Sequence, residues 1–145
     1  MKPTNLRQQL EIDEDDVLHA YPDPVTHGEP YTIGRGHTGG IKPGTVWTQQ
    51  QSDEAFEADI ATAVAEVKHA IPWVTQLNDA RQSVLYGMCF QMGIARLLTF
   101  KKALAAAKLG LWATCQHELE DSDWMKQTPN RCKLRALQML TGEYQ

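Results

Sequence analysis

The fold of this chain is decided near its N-terminus by residues 12–37, which read IDEDDVLHAYPDPVTHGEPYTIGRGH. The stretch opens with a run of acidic residues, which is unfavourable at the C-terminal end of a helix because the helix dipole prefers cations there. We therefore predict a short N-terminal helix that begins at a capping box of Asn5 and Gln8 and ends near Asp13. The remainder is rich in proline and glycine, which mark tight turns, and predicts a small β-lobe at about residues 15–47.

The chain changes from strand-like to helical patterns at residue 48. Two short strand-like segments precede that point, at residues 31–33 and 45–47. Thr48 and Gln51 then predict a capping box that starts a long amphipathic helix. Further helices are predicted from Asn78 or Asp79 to Gly93, from Phe100 to Lys108, from Leu111 to Glu120 and from Thr128 to Leu140. The helix before Gly93 is apolar nearly all round and should be central and buried.

These elements predict a single domain over residues 1–145, of the α+β class and predominantly helical. A small β-hairpin lobe would face a larger helical lobe, formed by residues 48–145 and the N-terminal helix. A cleft between two such lobes is where a polymeric substrate would bind.

The charge of the chain is divided unevenly. Residues 1–60 carry a net charge of −7 and residues 61–145 a net charge of +3. An acidic chain is a poor binder of nucleic acid, so we expect no such partner. The basic residues concentrate in the last predicted helix, which would either be a solvated face or make a weak contact with an anionic membrane. No apolar run is long enough for a membrane-spanning helix, and the first residues lack the apolar stretch of a secretory signal.

Glu14, Asp23 and Thr32 are the candidate catalytic residues. They lie on adjacent short elements and could face one cleft. Glycoside hydrolysis needs a pair of carboxyl groups, because one protonates the leaving oxygen while the other activates water or stabilises the developing cation. Taken alone the pattern is weak, since acidic residues are common in this part of the chain and solvated charges would produce the same pattern.

Three blocks of sequence strengthen this interpretation. Residues 12–14, Asp23 and residues 31–37 together resemble the catalytic lobe of the phage-type lysozymes, which are endolysins and muramidases of glycoside hydrolase family 24. Residues 90–93, FQMG, resemble the central-helix motif of that family. Trp124 with residues 127–131, QTPNR, is similar to the start of its last helix. The blocks occur in the family's order and the resemblance extends from about Leu6 to Tyr144.

The resemblance implies a lysozyme-like fold and a peptidoglycan hydrolase. The enzyme would cleave the β-1,4 bond between N-acetylmuramic acid and N-acetylglucosamine with inversion, and no metal or other cofactor is implied. Glu14 would be the general acid, Asp23 the second carboxylate, and Thr32 would help to hold the attacking water. Further residues are implied to bind substrate or to lie close to it: Gly36, Thr38, Phe90, Gln91 and Arg131, the last next to the catalytic glutamate.

Two departures from the family pattern bear on the geometry. Asp15 stands where the family commonly has a glycine, and the segment from Asp23 to Thr32 is longer than usual, so the hairpin must bulge or extend. Neighbouring carboxylates should raise the pKa of Glu14, whereas Arg131 should lower it. The sequence alone does not decide between these two effects. His37 matches a histidine of the family and is expected to be structural.

Other classes of function stay open at this point. A lytic transglycosylase on a related fold would need one catalytic acid only. A zinc amidase or peptidase would use histidines, although the spacing of His19, His27 and His37 matches no metal-binding helix motif. A non-catalytic wall-binding module is the remaining alternative.

The resemblance also implies a biological setting. We expect a monomeric endolysin that accumulates in the host cytoplasm and reaches the cell wall at lysis through a holin-type membrane partner. The three cysteines are expected to be free thiols, since they cannot all pair within one chain and lie at no metal-ligand spacing: Cys89, Cys115 and Cys132.

Overall fold

A computed structural model describes all 145 residues and contains one two-stranded antiparallel sheet among helices. The elements in chain order are α1 (Leu6–Asp13), β1 (Val17–Tyr21), β2 (Thr32–Gly34), α2 (Gln49–Ala70), α3 (Asp79–Met92), α4 (Ile94–Leu97), α5 (Lys101–Lys108), α6 (Trp112–Glu120), α7 (Asp123–Gln127) and α8 (Pro129–Thr141). A 3₁₀ turn at Pro72–Gln76 joins α2 to α3. The predicted α+β, predominantly helical class is therefore confirmed.

Helix α1 ends where the acidic run begins. At its start, Asn5 Oδ1 accepts a hydrogen bond from the Gln8 N–H at 2.9 Å. The predicted capping box is incomplete, because the Gln8 side chain instead accepts hydrogen bonds from the N–H and the hydroxyl of Thr4. At its end, the Glu14 N–H donates to the Leu10 carbonyl at 2.9 Å and the backbone of Glu14 is extended. Glu14 therefore lies at the junction between α1 and the β-lobe.

The β-lobe is a hairpin with one additional contact. Val17 lies opposite Gly34 and Tyr21 opposite Thr32, with an irregularity in between. Of the two predicted strand segments, the first overlaps β2. The second, residues 45–47, forms only an isolated bridge to β1.

The long connection between Asp23 and Thr32 extends the hairpin as a closed turn. The Asp23 N–H donates to the Gly28 carbonyl at 2.9 Å, and the His27 N–H donates to the Asp23 carbonyl at 2.8 Å. The additional residues are therefore accommodated beyond Asp23, which stays at the base of the turn, close to the end of β1.

Helix α2 connects the two lobes. Its N-terminus carries the predicted capping box of Thr48 and Gln51, with both hydrogen bonds present. Arg35, from the turn after β2, pairs with Asp53 of this helix at 3.0 Å and with Asp16 at 3.4 Å. Its guanidinium also lies over the Phe56 ring, 4.6 Å from the centroid. These contacts fix the β-lobe against the beginning of α2.

The hydrophobic core lies in the helical lobe and is built around α3, as predicted. Eight of the residues of α3 are buried, and the helix packs against α1, α2 and α8. Burial of the apolar side chains of α3 contributes favourably to folding. None of the helices combines the length and the apolar character that a bilayer crossing demands.

Candidate active site

Glu14 is the centre of the candidate site. Its side chain is 17% exposed and that of Arg131, at the start of α8, is 21% exposed. Arg131 Nη1 donates to Glu14 Oε1 at 2.9 Å, and Nη2 of the same guanidinium donates to the carbonyl of Asp13. One arginine therefore holds both the carboxyl group of Glu14 and the last carbonyl before it.

The pKa of Glu14 is raised above that of an ordinary glutamic acid. Burial is the largest cause, and the negative charges of Asp13 and Asp15 act in the same direction. The charge and the hydrogen bond of Arg131 oppose the shift without cancelling it. A carboxyl group that retains its proton closer to neutral pH is suited to general acid catalysis. Sequence reasoning identified the charged neighbours but could not weigh them, because the dominant effect is burial.

The second oxygen of Glu14 faces the β-lobe at Gly36. This glycine has φ +80°, and a Cβ built on it would lie 3.7 Å from Glu14 Oε2. Glycine is favoured here because the left-handed conformation is strained for other residues. The two carboxylate oxygens thus have different surroundings: Oε1 is bound by Arg131, and Oε2 lies beside a backbone without a side chain.

Asp23 is half-buried at the base of the hairpin turn. Its Oδ1 accepts hydrogen bonds from the N–H groups of Val25 and Thr26, at 2.8 and 3.0 Å. Such bonds fix the orientation of the carboxyl group. They also restrain one oxygen and leave Oδ2 without a protein hydrogen bond.

Thr32 begins strand β2 and is positioned by the register of the hairpin. It lies directly opposite Tyr21, and residues that face each other in an antiparallel pair project from the same side of the sheet. The pKa of Tyr21 is raised by burial and by the negative charges of Glu14 and Asp15. Tyr21 therefore lies within range of these two charges. Sequence reasoning missed Tyr21, although its position two residues before Asp23 was a usable signal.

A groove of about 170 Å³ lies between the β-lobe and the helical lobe. Three of the predicted substrate-binding residues line it: Gly36, Thr38 and Phe90. The Phe90 ring packs edge-on against Phe56, with centroids 5.8 Å apart. Glu14, Asp23 and Thr32 do not line this groove. Its link to Glu14 is Gly36, whose backbone lies beside Glu14 Oε2.

Gln91 and Arg131 lie outside the lining of that groove. Gln91 Oε1 accepts a hydrogen bond from the Trp124 indole at 3.1 Å, and its Nε2 donates to the Thr128 hydroxyl at 3.3 Å. The Gln91 side chain is therefore engaged in joining α3 to the segments around α7. Arg131 is engaged with Glu14.

His37 is bound within the protein. Its Nδ1 lies 2.7 Å from Asp59 Oδ2, and its ring packs against Trp47 with centroids 5.4 Å apart. These contacts tie the turn after β2 to α2, which agrees with a structural role. No three of the His, Cys, Asp and Glu side chains are grouped to bind a metal ion.

Comparison with known proteins identifies the family. The phage lysozyme model matches residues 14–139, which is most of the chain. This chain belongs to the phage lysozyme family. The match begins at Glu14 itself and includes both lobes, so the candidate catalytic residues and the groove all fall within the phage lysozyme region.

The curated relatives include eukaryotic and phage proteins. Probable T4-type lysozyme 2 of Dictyostelium discoideum is 30% identical over 88% of this chain and 89% of its own length. Peptidoglycan hydrolase gp36 of Pseudomonas phage phiKMV is 29% identical over 89% of this chain and 14% of its own length. The pre-baseplate central spike protein Gp5 of Enterobacteria phage T4 is 33% identical over 76% of this chain and 19% of its own length. A phage lysozyme is a glycosidase, whereas the individual roles of Glu14, Asp23 and Thr32 stay predictions.

Proposed function

We propose that this protein is a muramidase that hydrolyses the β-1,4 bond between N-acetylmuramic acid and N-acetylglucosamine in bacterial peptidoglycan. The observation that carries the proposal is Glu14: a largely buried glutamic acid with a raised pKa, held by Arg131 and beside Gly36, which lines the groove between the lobes. Membership of the phage lysozyme family and the peptidoglycan hydrolase among the relatives support the same substrate.

Glu14 is the general acid of the proposed reaction. Its proton resides on Oε2, because Oε1 accepts the hydrogen bond from Arg131. Oε2 donates this proton to the glycosidic oxygen as the bond to the sugar breaks. The carboxylate that remains is stabilised by the guanidinium of Arg131, which needs no reorganisation during the step.

Asp23 and Thr32 act on the water in this mechanism. The Asp23 carboxyl group, fixed by two N–H groups at one oxygen, acts as the base that takes a proton from the water through its other oxygen. The Thr32 hydroxyl holds that water on the side of the sugar opposite the leaving group. Attack from that side inverts the anomeric configuration, and inverting enzymes hold their carboxyl groups about 6.5–9.5 Å apart to admit the water.

The exchange of Glu14 for glutamine tests the proposal. E14Q keeps the size of the side chain but has no proton to donate, so the release of reducing ends from purified cell wall should fall at least about 100-fold. E11Q is the matched control, because Glu11 lies on the same helix, is exposed and carries the same charge. Wild-type activity in E14Q would refute the catalytic role, and an equal loss in E11Q would show that the effect is not specific.

The products distinguish the proposed reaction from its alternatives. Proton NMR of the first product should show the α-anomer if the reaction inverts. Mass spectrometry should show hydrated reducing ends, whereas anhydro sugar ends would establish a lytic transglycosylase instead.

We further propose that the protein is a monomeric endolysin, which stays in the host cytoplasm until a holin-type partner opens the membrane. Membership of the phage lysozyme family supports a phage setting, and the holin-dependent route follows from the family resemblance alone. Expression in bacteria should cause lysis only when a holin is co-expressed. Lysis without a holin would contradict the proposed route, and a fusion to alkaline phosphatase would then report how the chain crosses the membrane.

A further inference from the structure

Behind Glu14, a row of polar side chains connects α1 to α8. We call this row the polar seam; its three pairs are Glu14 with Arg131, Asp13 with Arg135, and Gln9 with Gln138. The pairs follow opposite orders along the two helices, as expected where two helices run antiparallel. The first pair belongs to the candidate active site, and the other two have no part in the proposed reaction.

The inner pairs of the polar seam are deeply buried. The side chain of Arg135 is 3% exposed and that of Asp13 is 8% exposed, with Nη2 and Oδ1 3.6 Å apart. Gln9 and Gln138 are fully buried. Burial of polar and charged groups at this depth is unfavourable unless each is paired, and an apolar pair of similar size would often be at least as stable. A role beyond stability is therefore the better explanation for Arg135.

The surroundings of Arg135 hold its guanidinium in one position. Nη1 donates to Gln138 Oε1 at 2.7 Å, and Nη2 donates to the Gln145 carbonyl at 3.3 Å. Gln138 in turn donates to Gln9 Oε1 at 2.9 Å and to the Ala80 carbonyl at 2.7 Å. Arg135 is thus anchored to α3 through the side chain of Gln138, in addition to its ion pair with Asp13.

Space for this network is provided at Gly87 of α3. A Cβ at this residue would lie 2.7 Å from Gln9 Nε2, which is closer than real Cβ contacts allow. Gln9 Nε2 donates to the Ser83 carbonyl at 3.0 Å in that space. The absence of a side chain at Gly87 therefore leaves room in α3 for Gln9, at the inner end of the polar seam.

We propose that Arg135 is a positioning residue for the general acid: by holding Asp13, it fixes the end of α1 and the alignment of Arg131 with Glu14. The route is short, because Arg131 binds the backbone carbonyl of Asp13 and the side chain of Glu14 with one guanidinium. A displaced Asp13 would move both partners of that guanidinium. This inference rests on the proposed function, since it concerns the acid of that reaction.

Arg135 should also affect the pKa of Glu14, through the charge of Asp13. The titratable groups whose charges are coupled to that of Glu14 are Arg131 from α8, Asp13 from α1, Asp15 after α1 and Tyr21 from β1. Burial raises the pKa of Asp13, and Arg135 and then Arg131 act against that shift. With Arg135 present, Asp13 is held towards its charged form, and the charged Asp13 raises the pKa of Glu14. Loss of either residue should therefore move the basic limb of the pH profile of kcat/KM to lower pH.

A double-mutant cycle tests whether Arg135 acts through Asp13. We expect R135M and D13N each to lower kcat on purified cell wall about 10- to 100-fold, as a misplacement of about 1 Å does, with little change in KM. If the two act as one unit, the double variant D13N/R135M loses no more than the more affected single variant. The double variant also removes the unpaired buried charge, so it should fold if R135M does not. R135K retains the positive charge and should return the basic limb towards its wild-type position.

Two controls separate positioning from stability and from net charge. Lys133 lies on the same helix as Arg135 and is exposed, so K133M removes the same charge without disturbing the polar seam. Arg81 donates to the carbonyls of Met139 and Leu140 at the end of α8. R81M removes these hydrogen bonds and should lower the Tm of the protein. Neither should change kcat or the pH profile.

Several outcomes would overturn the inference. These are a wild-type kcat in R135M, losses that multiply in the double variant, and a basic limb that moves in none of the variants. A wild-type protein that releases no reducing ends would instead refute the proposed function itself, and the two failures are therefore distinguishable.

Discussion

The exchange of Gly36 for alanine tests two properties of this residue: its left-handed backbone conformation, which affects stability, and the open space that it leaves beside Glu14, which affects activity. Gly36 has φ +80°, and the new methyl group would lie 3.7 Å from Glu14 Oε2. That distance is an ordinary van der Waals contact, so the methyl group need not displace Glu14. It would nevertheless occupy the position from which a glycosidic oxygen must approach the proton.

The matched control for this exchange is Gly39. Its φ is +96°, and a Cβ there would meet no atom within 4 Å. Both glycines adopt the left-handed region, where a side chain introduces strain of about 1–2 kcal/mol. In a domain of this size 1 kcal/mol lowers Tm by roughly 2–4 °C. We therefore expect G36A and G39A to lose similar stability, each about 2–8 °C in Tm.

Activity should distinguish the two variants. G36A should lose at least about 10-fold in kcat on purified cell wall, because the sugar is held off the proton donor by a methyl group. G39A should retain kcat close to that of the wild type. Scanning calorimetry and a reducing-sugar assay at a temperature well below both transitions measure the two effects separately. Equal kcat values in G36A and G39A would refute the placement of Glu14 Oε2 at the reacting bond.

Four further outcomes follow from the structure. R131M removes the charge that lowers the pKa of Glu14, so the basic limb of the pH profile of kcat/KM should move to higher pH. A limb at its wild-type position would show that Arg131 does not act on the acid. G87A forces Gln9 from the Ser83 carbonyl and should destabilise the protein by about 1–3 kcal/mol in urea unfolding; unchanged stability would contradict the close contact. The double exchange E14L/R131M replaces a largely buried ion pair by apolar groups, so it should be inactive but at least as stable as either single variant. A loss of stability equal to the sum of the losses in the two single variants would contradict this expectation. Burial raises the pKa of the thiols of Cys89, Cys115 and Cys132 to about 11, 12 and 11. These thiols should therefore resist alkylation at pH 8 in the folded protein and react after unfolding.

The elements that could be predicted from sequence are those whose signals are local. The capping box of Thr48 with Gln51 and the end of α1 near Asp13 each depend on neighbouring residues, and both are present in the structure. Strand β1 was missed, because Val17–Tyr21 is short and its pairing partners, β2 and residues 45–47, lie further along the chain. The turn between Asp23 and Gly28 closes on itself through backbone hydrogen bonds, which side-chain patterns do not report.

The pairing of Glu14 with Arg131 was predictable from the sequence, but the electrostatics of Glu14 were not. The resemblance to a family pointed to Glu14 and to an arginine more than a hundred residues later, which the fold brings to 2.9 Å. The pKa of Glu14, however, depends on how much water the fold removes around it. Burial is a property of the assembled lobes, so no local pattern could have indicated that it outweighs Arg131.

The acidic run of residues 13–16 shows how one local rule produces both the fold and the site. Four successive carboxylates are unfavourable at the negative end of the helix dipole, and α1 accordingly ends at Asp13, with extended backbone at Glu14. Extended backbone directs successive side chains to opposite sides. Asp13 accordingly pairs with Arg135 inside the protein and Glu14 with Arg131 beside the groove, while Asp16 accepts a hydrogen bond from Ser52 and pairs with Arg35. The acidic run that ends the helix therefore also gives Asp13, Glu14 and Asp16 three different arginine partners.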